Sequence, residues 1–232
     1  MKTTLSNPYL KVIDELLPEP LWKSVVTATE AVTLRETVPG TAIWRGAIDE
    51  NPLESYEAIV WPPKGSEDLV AQCTVAAAQR SLPMRFYPTQ SPLDIGIEAI
   101  MKISRTAEEV VGRETTDWVA VTTSIYAYSA GTRAMWHDDG RYYSGAFIYY
   151  THCEWEQNWG GDLLVTAPGS SEGIGIAVFP RPNRLVLVQS GAPHAVSRIS
   201  SDARDRIRRS MTGFFVKQKR AEELIAMVLD RT

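Results

Sequence analysis

The sequence predicts a mainly β protein, a jelly roll of eight short strands with helices packed against it. Three observations carry that expectation. From Trp118 to Val216, short runs rich in Val, Ile, Thr, Tyr and Phe alternate with Gly, Pro, Asn and Asp, the punctuation of an all-β sandwich or barrel. Ahead of this stretch, Ile97, Ile100, Ile103, Ala107, Val110 and Val111 recur at spacings of three and four, which gives one apolar helical stripe. Behind it, Ala221, Leu224, Ile225, Val228 and Leu229 share a helical face that can pack back on the sheet.

Taken from the N-terminus, residues Tyr9 to Leu17 read as a short strand that leads towards a helix. Pro18 and Pro20 punctuate the approach, and the helix is expected from Leu21 to Val32. Between Arg35 and Pro92 prolines and glycines are frequent and periodicity is poor, so short elements mixed with long loops are expected. One helix follows over the Ile97–Val111 stripe, with Pro92 near its start and Gly112 near its end. The expected strands are Trp118–Tyr128, Ala134–His137, Tyr143–Thr151, Asp162–Val165, Gly175–Phe179, Arg184–Val188, His194–Ile199 and Arg206–Val216, and the last helix runs from Arg220 to Leu229. A chain of 232 residues fits one domain: 1–116 as helical and loop support with substrate-side elements, 117–216 as the β core, and 217–232 as the C-terminal helix.

Composition narrows the function classes. With 44% hydrophobic and 22% charged residues the chain is an ordinary globular protein and too apolar for intrinsic disorder. A net charge of −4 offers no global field for a nucleic acid or an anionic membrane. The local basic cluster of Arg198, Arg204, Arg206, Arg208 and Arg209 reads, on charge alone, as a solvated strand or loop. Two distant cysteines, Cys73 and Cys153, indicate neither a disulfide framework nor a thiolate zinc site, so a reducing cytoplasm is expected. Residues Met1 to Pro20 lack the apolar run of a signal peptide, and no apolar run approaches the roughly 18 residues of a membrane span.

Three histidines are present, His137, His152 and His194. In an extended strand, residues i and i+2 project to one face, so the run Trp136-His137-Asp138-Asp139 can aim His137 and Asp139 at one point while Asp138 turns away. A second imidazole from His194, at the start of another expected strand, would complete two His and one carboxylate on one side of an octahedron. That arrangement, with positions left open, marks non-haem Fe(II) oxygenases. Two other readings use the same residues: a zinc hydrolase, since these ligands also suit zinc, and a jelly roll that binds a metabolite without turnover.

Further motifs surround the histidines: Ala146-Phe147-Ile148-Tyr149-Tyr150, Trp155, Gly160-Gly161-Asp162-Leu163-Leu164-Val165, Pro182-Asn183-Arg184-Leu185-Val186-Leu187, and Arg208-Arg209-Ser210-Met211-Thr212-Gly213-Phe214-Phe215. In this order they resemble the prolyl 4-hydroxylase-like branch of the 2-oxoglutarate and Fe(II)-dependent oxygenase superfamily, over about 100 residues from Trp118 to Val216. The resemblance implies a double-stranded β-helix (a cupin-like jelly roll) with His137, Asp139 and His194 as metal ligands. It also implies Fe(II), 2-oxoglutarate and O2 as cofactor and cosubstrates, and decarboxylation of 2-oxoglutarate to succinate coupled to hydroxylation of an unactivated C–H bond. A carboxylate at position 139 argues against halogenation, because related halogenases place a small residue there.

The same resemblance puts an arginine of the last strand on the distal carboxylate of 2-oxoglutarate, a pairing that a guanidinium fork suits. Arg206, Arg208, Ser210 and Thr212 share one face of that strand, while Ile207, Met211 and Phe215 face the other. Aligned on Ser210 to Phe215, the family arginine is Arg208, with Arg206 as the second candidate and Thr212 as an added hydroxyl. Tyr150 and Tyr128 match tyrosines that line the cosubstrate pocket, whereas His152 matches no ligand and reads as structural. The substrate is expected to be a small molecule or amino-acid-derived, with peptidyl proline as the alternative. Trp44, Arg45, Trp61, Arg85, Arg133 and Arg141 lie in the stretches that would select it.

Overall fold

The computed structural model describes residues 1–36, 48–49, 53–55, 57–171 and 173–230. In chain order, β1 (Lys2–Asn7) and β2 (Leu10–Asp14) form a hairpin, followed by α1 (Glu19–Glu30) and the short strands β3 (Leu34–Glu36), β4 (Ile48–Asp49), β5 (Leu53–Ser55) and β6 (Ala58–Trp61). Next come α2 (Glu67–Gln79), β7 (Met84–Phe86), α3 (Leu93–Ser104) and α4 (Glu108–Val111). Eight strands complete the β core: β8 (Ala120–Tyr128), β9 (Arg133–His137), β10 (Tyr143–Tyr150), β11 (Leu163–Val165), β12 (Ile176–Val178), β13 (Leu185–Gln189), β14 (His194–Val196) and β15 (Arg208–Val216). Helix α5 (Gln218–Leu229) ends the described chain.

These strands form two sheets. The larger runs β1-β2-β13-β10-β15-β8-β5-β3, with β6 on β8 and β7 on β6, and the smaller runs β12-β11-β14-β9-β4. The eight core strands thus divide four and four, all in antiparallel pairings, which is the jelly roll that the alternating runs predict. All eight expected strands are present, with bounds differing by a few residues at their ends.

Strand β10 explains why two cores form. Phe147 and Tyr149 point to the helix side of the larger sheet, where they join Ile97, Ile100, Met101, Trp118, Met211 and Phe215. Ile148 and Tyr150 point into the space between the sheets, with Leu163, Val165, Val186 and Val196. Burial on both faces makes its sequence continuously apolar, and each large side chain so buried contributes about 1.5–3 kcal/mol. Gly213 on β15 sits where a Cβ would overlap the Thr122 carbonyl oxygen and the Phe147 ring, so only glycine allows the strand to pass there.

The N-terminal half departs from expectation in four places. The stripe from Ile97 to Val111 is two helices, because Ser104 and Thr106 turn their hydroxyls back onto the carbonyls of Met101 and Ile103 and compete with the helical ladder. Helix α2 was hidden in a stretch read as loops, since it buries only Cys73 and Ala77 and shows no broad apolar stripe. Strand β1 is an edge strand whose residues are mostly exposed, so it carries no apolar alternation. Helix α1 starts at Glu19, two residues before the expected Leu21, with Pro20 in its first turn. Among the described residues no helix is long and apolar enough to cross a membrane. Trp44 and Arg45 lie outside the described residues.

Candidate active site

Strands β9 and β14 pair so that His194 stands opposite His137 and Val196 opposite Ala134. Three residue steps on β9 therefore face two on β14, a bulge that leaves Met135 and Trp136 both exposed and returns His137 to the inner face. Beyond the strand end the alternation holds: Asp138 is exposed, its Oδ1 accepting from the Gly140 N–H, while Asp139 is buried.

The three side chains converge. Asp139 Oδ1 lies 3.9 Å from His137 Nε2 and 3.7 Å from His194 Nε2, and one donor atom from each residue lies within 4.8 Å of the other two. Each imidazole has its Nδ1 at the carbonyl oxygen two residues earlier, His137 at Met135 (2.7 Å) and His194 at Ala192 (3.0 Å). An Nδ1–H donated to each carbonyl leaves both Nε2 lone pairs aimed at the common point.

Burial sets the electrostatics of this cluster. It lowers the pKa of both His137 and His194, so both favour the neutral, ligating form. It raises the Asp139 carboxyl to about 6. A carboxylate with only 2% of its side chain exposed, set between two imidazoles that resist protonation, lacks a compensating charge.

The triad shares a cavity, partly open to solvent, with Tyr126, Tyr128, Ile148, Leu163, Arg208 and Thr212. Arg208 is fully buried, donates from Nε to the Gly161 carbonyl (2.8 Å) and from NH2 to the Tyr150 hydroxyl (3.2 Å), and has the Tyr128 and Tyr150 rings about its guanidinium, at 5.0 and 4.9 Å. Gly161, at φ +73°, lets the arginine stem pass: a Cβ there would sit 2.9 Å from Arg208 Cδ. Ser210 is buried and shares a hydrogen bond with the Thr212 hydroxyl at 3.0 Å.

Register explains the grouping. Along β15, Arg208 stands opposite Tyr128, Ser210 between Tyr126 and Tyr150, and Thr212 between Ser124 and Ile148, so every second residue of three adjacent strands presents to one side. Arg206 lies before the strand and pairs with Glu154 at 2.8 Å, half exposed, away from the cavity. His152 is buried, with Nε2 at the Pro180 carbonyl (2.7 Å) and Nδ1 at that of Arg209 (3.2 Å), and burial depresses its pKa to about 4. Tyr126 was missed by sequence reasoning although it precedes Tyr128 by two residues and so shares its face.

Residues 123–216 match the profile of the 2OG-Fe(II) oxygenase superfamily, a span that holds both ligating histidines, Asp139 and Arg208. The β core of the chain is thus similar to that superfamily. The match, with His137, Asp139 and His194 as the facial triad, implies a dioxygenase that uses Fe(II) and 2-oxoglutarate.

Solved structures support the same fold at low identity. A Pseudomonas putida prolyl-4-hydroxylase is 18% identical with a TM-score of 0.60, over 90% of this chain and 92% of that one. A Trichoplax adhaerens prolyl hydroxylase, solved in complex with a hypoxia inducible factor oxygen degradation domain peptide fragment, is 14% identical with a TM-score of 0.61, over 94% and 87%. A 2OG-Fe(II) oxygenase family oxidoreductase from Burkholderia pseudomallei is 10% identical with a TM-score of 0.57, over 89% and 85%. No curated protein sequence matches the chain.

The chain's own residues fit the implied metal. Two neutral imidazoles and one carboxylate supply N and O donors suited to Fe(II), and a divalent cation provides the charge that buried Asp139 lacks.

Proposed function

We propose that this protein is an Fe(II)- and 2-oxoglutarate-dependent dioxygenase that hydroxylates an unactivated C–H bond of a small-molecule or amino-acid-derived substrate. The observation that carries the proposal is the presence of the triad and of a buried arginine on the walls of one cavity. When bound, Fe(II) with 2-oxoglutarate and O2 supplies the oxidising chemistry, with succinate and CO2 as co-products.

The chain's own groups hold and orient. His137, Asp139 and His194 ligate from one side and leave the remaining positions to the cosubstrates. Arg208, fixed by Gly161 and Tyr150, uses its other N–H groups to take the distal carboxylate of 2-oxoglutarate. Thr212 adds a hydroxyl, Ser210 orients it, and Tyr128 and Tyr150 hold the guanidinium in place. Ile148 and Leu163 keep water from this part of the cavity. On this reading residues 1–232 act as one oxygenase domain.

The depth of the metal centre favours a substrate that enters whole, since the Asp139 and His194 side chains are 2% and 9% exposed. A second reading, hydroxylation of a prolyl residue within a peptide, draws support from fold neighbours that are prolyl hydroxylases. Anaerobic addition of Fe(II) and then 2-oxoglutarate tests the oxygenase, with a weak visible charge-transfer band as the expected result; its absence overturns the proposal. Succinate release across free amino acids, metabolites and proline-rich peptides then separates the two substrate readings.

A further inference from the structure

A second cavity lies on the other face of the larger sheet. Its floor is made by Val32 of α1, Ile59 of β6, Leu93 of α3 and Ile125 of β8, on the side where the helices pack, whereas Tyr126 and Tyr128 of the same β8 face the triad. It has a volume of about 320 Å³, within the roughly 300–1,000 Å³ of small-molecule sites, and is partly open to solvent. Neither the metal ligands nor the arginine that takes 2-oxoglutarate line it.

Two charged side chains stand on its wall. Arg85 of β7 and Glu57, just before β6, pair at 3.6 Å, both half exposed. The parallel pairing of β6 with β7 brings them together: Met84 and Phe86 turn to the apolar cluster under α2 and α5, and Arg85, between them, turns to this cavity. Arg85, which the sequence places in a substrate-selecting stretch, therefore serves this face and not the triad's. Its Nη2 donates to the Thr89 carbonyl (2.9 Å), which fixes the guanidinium and leaves Nη1 without a hydrogen bond among the described residues. Ala28, Ala31 and Thr33 bring the C-terminal end of α1 to the same cavity, and no basic residue in its last turn offsets the negative end of the helix dipole.

A cavity with one cation, one carboxylate and a negative helix end suits a ligand that carries both charges. A half-exposed ion pair as long as 3.6 Å is weak, so a zwitterion that inserts between its partners replaces one long contact by two charge-assisted hydrogen bonds. We infer that this cavity is a second binding site, separate from the metal centre, for an apolar α-amino acid, with its carboxylate on Arg85, its ammonium group on Glu57 and its side chain on the floor of Ile59, Leu93 and Ile125.

The test uses chemically matched probes. L-Leucine is compared with 4-methylpentanoate and 3-methylbutylamine, and L-phenylalanine with 3-phenylpropanoate and 2-phenylethylamine, so that each analogue lacks one of the two charges. All are titrated calorimetrically, without oxygen, into protein loaded with Fe(II) and 2-oxoglutarate. At least one amino acid is expected to bind roughly tenfold or more tightly than either of its analogues, the scale of one charge-assisted hydrogen bond. Arg85→Gln should remove its advantage over the amine, and Glu57→Gln its advantage over the acid; both side chains are half exposed, so the unfolding midpoints should stay close to that of the wild type. Asp139→Ala, which disables the metal centre and not this site, should bind the amino acid as the wild type does. A wild type that binds neither amino acid better than its analogues overturns the inference. So does a preference that survives both Arg85→Gln and Glu57→Gln, or one that is lost in Asp139→Ala, since either result moves the amino acid to the triad's cavity.

Discussion

The two halves of the cavity are built by different means. The metal half stands at strand ends: His137 closes β9, Asp139 follows it, and His194 opens β14. Its ligands are aimed by short-range contacts, each imidazole being tied to a carbonyl only two residues away. The arginine half also begins at a strand end, where Arg208 opens β15 opposite Tyr128, but it is held by long-range contacts, to the Tyr150 hydroxyl of β10 and to the distant Gly161 carbonyl. The orientation of each imidazole ring is therefore set locally, whereas the hold on the guanidinium depends on residues of separate strands and a distant loop.

That contrast can be broken from either side. The largest effect should come from Asp139→Ala, which removes the only anionic ligand; iron binding by equilibrium dialysis and succinate formation should both be lost, while the thermal unfolding profile of the apoprotein stays cooperative. Arg208→Ala should keep iron but raise the KM for 2-oxoglutarate by about two to three orders of magnitude, since each hydrogen bond to a charged group is worth about 1.5–3 kcal/mol. Unchanged cosubstrate affinity in that variant would remove Arg208 from the pocket.

A third effect belongs to stability and not to catalysis. His152 has a folded-state pKa near 4, below the ordinary 6.5, because burial penalises its charged form. The unfolded chain thus binds more protons between these values, so stability is full above about pH 6.5 and is lost as pH falls towards 4, by about 3 kcal/mol in all. Denaturant unfolding of wild type against His152→Gln at pH 7 and pH 4.5 isolates this contribution, and the variant should show the flatter profile. The smallest effect is expected of Arg206→Ala. Its half-exposed pair with Glu154 should be worth under about 1 kcal/mol, with no change in 2-oxoglutarate affinity.

The metal half was legible in the sequence because so few residues could form it: three histidines, one of them in a His-x-Asp run. Period-2 alternation likewise gave the side of β15 on which Arg208, Ser210 and Thr212 stand, since any register that buries Met211 and Phe215 against the helices turns those three the other way. The Arg85–Glu57 pair was not legible. Arg85 lies on a three-residue strand in a stretch without periodicity, and its place beside Glu57 follows from the parallel pairing of β7 with β6. The break between α3 and α4 was hidden for a different reason: the apolar spacing continues through Arg105–Ala107 even though the backbone hydrogen bonds do not.

The bulge in β9 has a further consequence for what this chain can tolerate. Met135 and Trp136 are two residues occupying the space of one, and this extra step brings His137 back to the inside. Their side chains meet solvent, so their identities are open to exchange; it is the bulge that aims the ligand. Straightening the bulge without shortening the strand would restore unbroken alternation and turn the imidazole outward, whereas deleting one of the two residues would remove the extra step and leave His137 opposite His194.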